Sequence, residues 1–149
     1  MLARARQNLV SVTSHVALTL LRSCLSIPKL TYAMRTSPTW FYPQEVALID
    51  SDMRTLLESI LNVHLDEKQW LQASLPIRHG GLGVRRMQDT NVSAFLASSS
   101  GVFDLVANIL KKQGDAVIIP YTEQAGNAWS TLCPAAEFPE KPAVRCLWD

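Results

Sequence analysis

Apolar residues recur through most of the chain at helical spacing. Behind Ser14, a residue type that caps helix N-termini, Leu18, Leu21 and Leu25 fall at i, i+3 and i+7, and Val16, Ala17 and Leu20 widen the stripe. Ile27-Pro28 interrupts that helix, and Pro28 then suits the first turn of a short one through Leu30, Ala33 and Met34, which Pro38 ends. After the aromatic run Trp40, Phe41 and Tyr42, Pro43 opens the clearest pattern in the chain. There Val46, Ile49, Met53, Leu56 and Ile60 are spaced alternately three and four apart, with Leu57 and Leu61 on the same face. Asp66 and Gln69 stand at capping-box spacing before Trp70, Leu71 and Ala73, and Pro76 terminates that segment.

Gly80, Gly81 and Gly83 surround a single Leu82, so Ile77 to Val84 is expected to be a tight turn or a short hairpin. Val92, Phe95, Leu96 and Ser99 predict a helix from near Asp89. The run Ser98-Ser99-Ser100-Gly101 is expected to separate it from another carrying Leu105, Val106, Ile109 and Leu110, closed by Lys111, Lys112 and Gly114. Prolines then accumulate, and only a weak helical pattern survives around Thr122 to Leu132. The fold class expected is mainly α: a bundle-like helical region over 1–113 with a Gly-rich loop, then an irregular or partly disordered Pro-containing segment over 114–149.

Charge changes this picture only locally. Fourteen Lys and Arg against thirteen Asp and Glu leave a formal charge of +1, which by itself points to no nucleic-acid partner. The charges are nevertheless blocked. Residues 1–44 carry five bases and no acid, 45–67 six acids and one Arg, and 68–88 four bases and no acid. No apolar run is expected to be long enough for a membrane span, since Arg22 interrupts the best candidate, Val16 to Ile27; no membrane partner is expected, and the polar residues Ser11, Thr13, Ser14 and His15 argue against a secretory leader. Three cysteines without Cys-x-x-Cys spacing fit a reducing, intracellular setting, cytoplasm or nucleus, and give no zinc-site grammar.

Candidate chemistry is sparse. On a helix Asp50 and Asp52 point about 200° apart and cannot share one Mg²⁺, while Asp66 and Glu67 sit where acids stabilise a helix start. No catalytic residue, metal site or cofactor is therefore expected. The glycine loop lacks the Lys-Ser/Thr ending of a P-loop, and a structural turn is favoured over a phosphate cradle, although Arg78, His79, Arg85 and Arg86 flank it. Cys24 is expected on the apolar side of its helix, inert in the core, and Cys133 and Cys146 have no histidine nearby. Trp40, Trp70, Trp129 and Trp148 are expected to pack rather than stack on bases.

The segments His15-Val16-Ala17-Leu18-Thr19-Leu20-Leu21-Arg22, Ile27-Pro28-Lys29-Leu30-Thr31-Tyr32, Met53-Arg54-Thr55-Leu56-Leu57-Glu58, Gln72-Ala73-Ser74-Leu75-Pro76-Ile77, Gly80-Gly81-Leu82-Gly83-Val84-Arg85 and Val144-Arg145-Cys146-Leu147-Trp148-Asp149 carry a resemblance. In this order they resemble the region downstream of the polymerase palm in non-LTR (LINE-type) retrotransposon reverse transcriptases, over nearly the whole chain. Leu-Pro-x-x-x-Gly-Gly-Leu-Gly is its most specific element. The resemblance implies a thumb and connector whose helices hold template and primer beside the palm. The chain departs from the family in having no Asp-Asp pair, and fingers, palm, zinc knuckle and endonuclease are missing. It is expected to be a fragment of a decayed element or partial gene model, not an enzyme. Weak contact with the RNA or DNA phosphate backbone is expected through Arg22, Lys29, Arg35, Arg78, Arg85 and Arg86. The alternative is a helical protein-interaction module without a nucleic-acid role.

Overall fold

The computed structural model describes residues 7–9, 11–111 and 118–144. It is mainly helical, 71% helix, with no strand among the described residues, so Ile77 to Val84 is a turn and not a hairpin. Among the described residues these α-helices follow in order: α1 Ser14–Leu20, α2 Ile27–Thr36, α3 Pro43–Leu61, α4 Glu67–Ser74, α5 Met87–Leu110 and α6 Thr122–Leu132, with residues 7–9 also helical. Short 3₁₀ turns occupy Thr39–Phe41 and Ile77–His79. The chain forms two compact units, one from residues 1–31 and 43–88, the other from 32–42 and 89–149.

In the first unit α1 packs against α3. The i, i+3, i+7 pattern of α1 does not end as a regular helix. Leu21–Leu25 form a π-helical turn in which Ser26 N–H donates to the Leu21 carbonyl at 2.9 Å, an i→i+5 bond. The wider turn rotates later side chains away from the stripe, so Leu21 is fully buried while Cys24 is exposed. This corrects the expectation of a core cysteine, which assumed an unbroken 3.6-residue period. α3 buries Val46, Met53, Leu56, Leu57 and Ile60 as its spacing predicts.

One polar residue belongs to that buried face. Asp50 is 5% exposed, and its carboxylate accepts hydrogen bonds from the N–H groups of Met87 at 2.6 Å and Gln88 at 3.0 Å. A helix start leaves its first N–H groups without intrahelical partners and carries partial positive charge, so a carboxylate brought from another helix satisfies both. Asp50 is thus a cap for α5 supplied at long range. The α3–α4 connection is held by Arg54, whose guanidinium binds the Glu67 carboxylate and the Leu65 carbonyl and lies 3.6 Å from Glu58. Asp66 forms the capping box read from the sequence, accepting from Gln69 N–H while the Gln69 side chain accepts from Asp66 N–H, both at 2.8 Å.

In the second unit, Val92, Phe95, Leu96 and Ala97 of α5 and Ala125 and Trp129 of α6 form one apolar cluster, with Trp40 packed against it. Trp40 and Phe95 meet edge to face at 4.8 Å, and Trp129 lies 5.2 Å from Phe138. Trp70 of the first unit is also buried; the described tryptophans pack, and Trp148 lies outside the described residues. The weak pattern at 122–132 is a full helix, whereas 133–144 contains only turns and irregular backbone.

The expected break at Ser98–Gly101 does not occur, because α5 is continuous over 24 residues. Serine hydroxyls are satisfied inside the helix: Ser93 donates to Thr90 O at 3.1 Å and Ser99 to Leu96 O at 3.0 Å. As one helix, α5 is long and apolar enough to cross a membrane by length and composition alone, which corrects the expectation that no segment of the chain is. Of its apolar window, 39% is buried inside the protein.

Asp50→Ala should lower stability by about 2 to 3 kcal/mol, because two amide donors lose a charged acceptor and one lies buried. Chemical denaturation of the variant checks this, and Asp52→Ala on the exposed side of α3 should stay within about 0.5 kcal/mol.

Candidate nucleic-acid interface

The glycine loop closes the C-terminal end of α4. Gly80 N–H donates to Ile77 O at 3.0 Å, Gly81 N–H to Pro76 O at 3.2 Å, Leu82 N–H to Ala73 O at 2.9 Å and Gly83 N–H to Leu75 O at 2.9 Å. These amides are the groups that a phosphate cradle would present to its anion. Here Leu82 and Gly83 are turned onto carbonyls that the end of α4 leaves unpaired, and Gly80 and Gly81 onto those of the 3₁₀ turn between. The geometry is therefore that of a structural turn.

Each glycine serves it differently. Gly80 and Gly83 have φ of +79° and +75°, the left-handed region. Gly81 permits a close approach: a Cβ there would stand 2.0 Å from the Leu75 carbonyl oxygen and 2.7 Å from that of Gln72. At Gly83 a Cβ would meet the Arg22 side chain, 2.9 Å from Cδ and 3.5 Å from Cγ. The aliphatic stem of Arg22 thus lies along the loop, and a basic residue of the first acid-free block comes to the second.

The sequence-predicted cations divide accordingly. Arg22, Lys29, Arg78, Arg85 and Arg86 belong to the first unit, and Arg35, exposed near the end of α2, belongs to the second. Lys29 and Arg78 are exposed, and Arg78 Nε donates to Nε2 of His79 at 3.0 Å. Arg85 and Arg86 are half-buried and each is engaged by other groups of the chain. Sequence reasoning missed that Asp50 is a structural anchor; its signal was an acid inside an otherwise apolar 3-4 register. It also left aside Arg54, the one base of the acidic block. No cluster of three His, Cys, Asp or Glu suited to a metal occurs among the described residues.

Glu58 sits between these groups. Its carboxylate accepts from Leu65 N–H at 2.9 Å and lies 3.1 Å from His64 Nδ1. The Leu65 hydrogen bond, helped by His64 and Arg54 and opposed by desolvation, holds its pKa below the ordinary 4.5.

Gly81→Ala should destabilise the protein by about 3 kcal/mol or more, since the obstructing atom is backbone. Gly80→Ala has open space and should cost only about 1 kcal/mol for its left-handed φ. Denaturation midpoints of the two variants give the comparison. A carboxyl whose pKa is depressed on folding contributes stability that is present above its unfolded value, about 4.3, and lost as pH falls through the folded value. Glu58→Gln should therefore melt lower than the parent near neutral pH and show a shallower loss of stability on acidification, measured as Tm from pH 7 to 3.

No protein-family model matches the chain, and no curated protein or solved structure matches it either.

Proposed function

We propose that this chain is the helical region downstream of the palm in a non-LTR retrotransposon reverse transcriptase, acting in the cell interior to hold the sugar-phosphate backbone and performing no catalysis itself. The observation that supports this reading is the seating of the Arg22 stem on Gly83, within the loop that carries the most specific element of the resemblance. It makes the two acid-free blocks neighbours at that point, and exposed Lys29 and Arg78 lie in the same unit. The loop acts as scaffold, since its amides are committed to carbonyls of residues 73–77, and contact falls to side chains. Phosphate contacts carry no base information, so recognition is sequence-tolerant.

A second reading, a protein-interaction module, is favoured by a different observation. Val102, Leu105 and Ile109, at i, i+3 and i+7 on α5, are 40%, 59% and 69% exposed, an apolar row of the kind that docks in a groove.

The test is fluorescence anisotropy with single-stranded oligonucleotides of several sequences at a series of salt concentrations. Binding should be weak, alike across sequences and steeply salt-dependent. Lys29→Gln with Arg78→Gln should reduce the slope of log affinity against log salt by about 1.4, or about 0.7 per lost contact. Absent binding by a chain with an intact melting transition would replace the first reading with the second.

A further inference from the structure

The second unit contains an open cavity of about 870 Å³ built from three stretches of chain distant in sequence. Phe103 and Asp104 come from α5, Ile118 to Gln124 from the approach to α6 and its first turn, and Pro142 from the irregular segment beyond it. The volume falls in the range of small-molecule sites. Among the described residues no basic side chain lines it, and the ionisable groups of its described lining other than Tyr121 are Asp104 and Glu123. Neither carboxylate has an ion-pair partner among the described residues.

The aromatic lining is held in place. Tyr121 has φ +66°, a conformation that costs a bulky residue backbone energy, and its ring stands edge to face with Phe41 at 5.9 Å. Phe41 is itself 5.6 Å from Trp40, whose ring packs on Phe95 of the core. A chain of ring contacts therefore runs from the buried cluster of this unit to the cavity wall.

Three properties now select one ligand chemistry. Apolar and aromatic walls favour an apolar body. The faces of Phe103 and Tyr121 attract positive charge through their quadrupoles. Carboxylates with no ion-pair partner and no lining cation among the described residues attract it further and repel phosphates and carboxylates. We infer that this cavity binds a small organic cation, a protonated or quaternary amine carried on an aromatic or branched apolar body. The inference is independent of the nucleic-acid reading, which concerns side chains of the other unit and the opposite sign of ligand.

The experiment uses the full chain and three probes of similar shape: phenethylammonium, phenethyl alcohol and phenylacetate. Binding is followed by chemical-shift perturbation of Ser99, Ser100, Phe103 and Tyr121 amides. The ammonium should bind about two- to fivefold more tightly than the alcohol, the size expected for charges that remain partly in water, and phenylacetate more weakly than either. Asp104→Asn with Glu123→Gln should remove the preference for the ammonium and leave binding of the alcohol unchanged. Ser100→Trp, which places an indole in the cavity, should abolish all three. A melting curve on each variant establishes that it is folded, and the two-carboxylate variant, altered at exposed positions, keeps the test valid if Ser100→Trp does not fold. Equal affinity for the three probes, or no perturbation by the ammonium at millimolar concentration in the folded parent chain, would overturn the inference.

Discussion

The backbone amides of residues 80–83 turn inward onto carbonyls of residues 73–77: Leu82 and Gly83 close the end of α4 at Ala73 and Leu75, and Gly80 and Gly81 close the 3₁₀ turn that follows it. A helix that ends in Leu75-Pro76 has carbonyls to satisfy, because proline cannot continue the ladder and leaves the preceding residue extended. The loop supplies the donors, and Gly81 makes it possible by letting backbone meet backbone where any Cβ would collide. From there the chain passes through Val84, fully buried, to the start of α5, where Asp50 receives Met87 and Gln88. Two helix ends, one presenting acceptors and the other donors, are thus satisfied within a dozen residues by groups local in the first case and remote in the second.

The difference between local and remote satisfaction decides what was legible in the sequence. The α3 stripe, the Asp66–Gln69 capping box and the helix-opening Pro43 were readable because each signal lies within one or two turns of its effect. The tertiary cap was not, since nothing in the spacing of Asp50 and Met87 links them. Cys24 was misplaced because a π-helical turn leaves no mark in composition. Continuity of α5 was missed for a related reason. Serine prefers caps and turns because its hydroxyl competes for backbone groups, yet the same hydroxyl can bond a carbonyl three residues back and leave the helix intact. The candidate interface was half legible: the basic blocks stood out, while the seating of Arg22 on Gly83 required the fold.

The near-zero formal charge conceals an uneven division of labour among the acids. In the first unit Asp50 caps α5, Asp66 caps α4, and Glu58 and Glu67 hold Arg54, so these carboxylates are spent on helix ends and one connection. Exposed Lys29 and Arg78 have no carboxylate within ion-pair distance among the described residues. In the second unit Asp104 and Glu123 border a cavity without a base among the described residues of its lining. Local potential follows these arrangements and not the sum, because fields from exposed charges are screened over about 10 Å at 0.1 M salt. A ligand near either surface responds to the few side chains within that distance. Exposed bases on one unit and a carboxylate-bordered cavity on the other are thus compatible in a chain of charge +1, and a measurement of bulk charge would register neither.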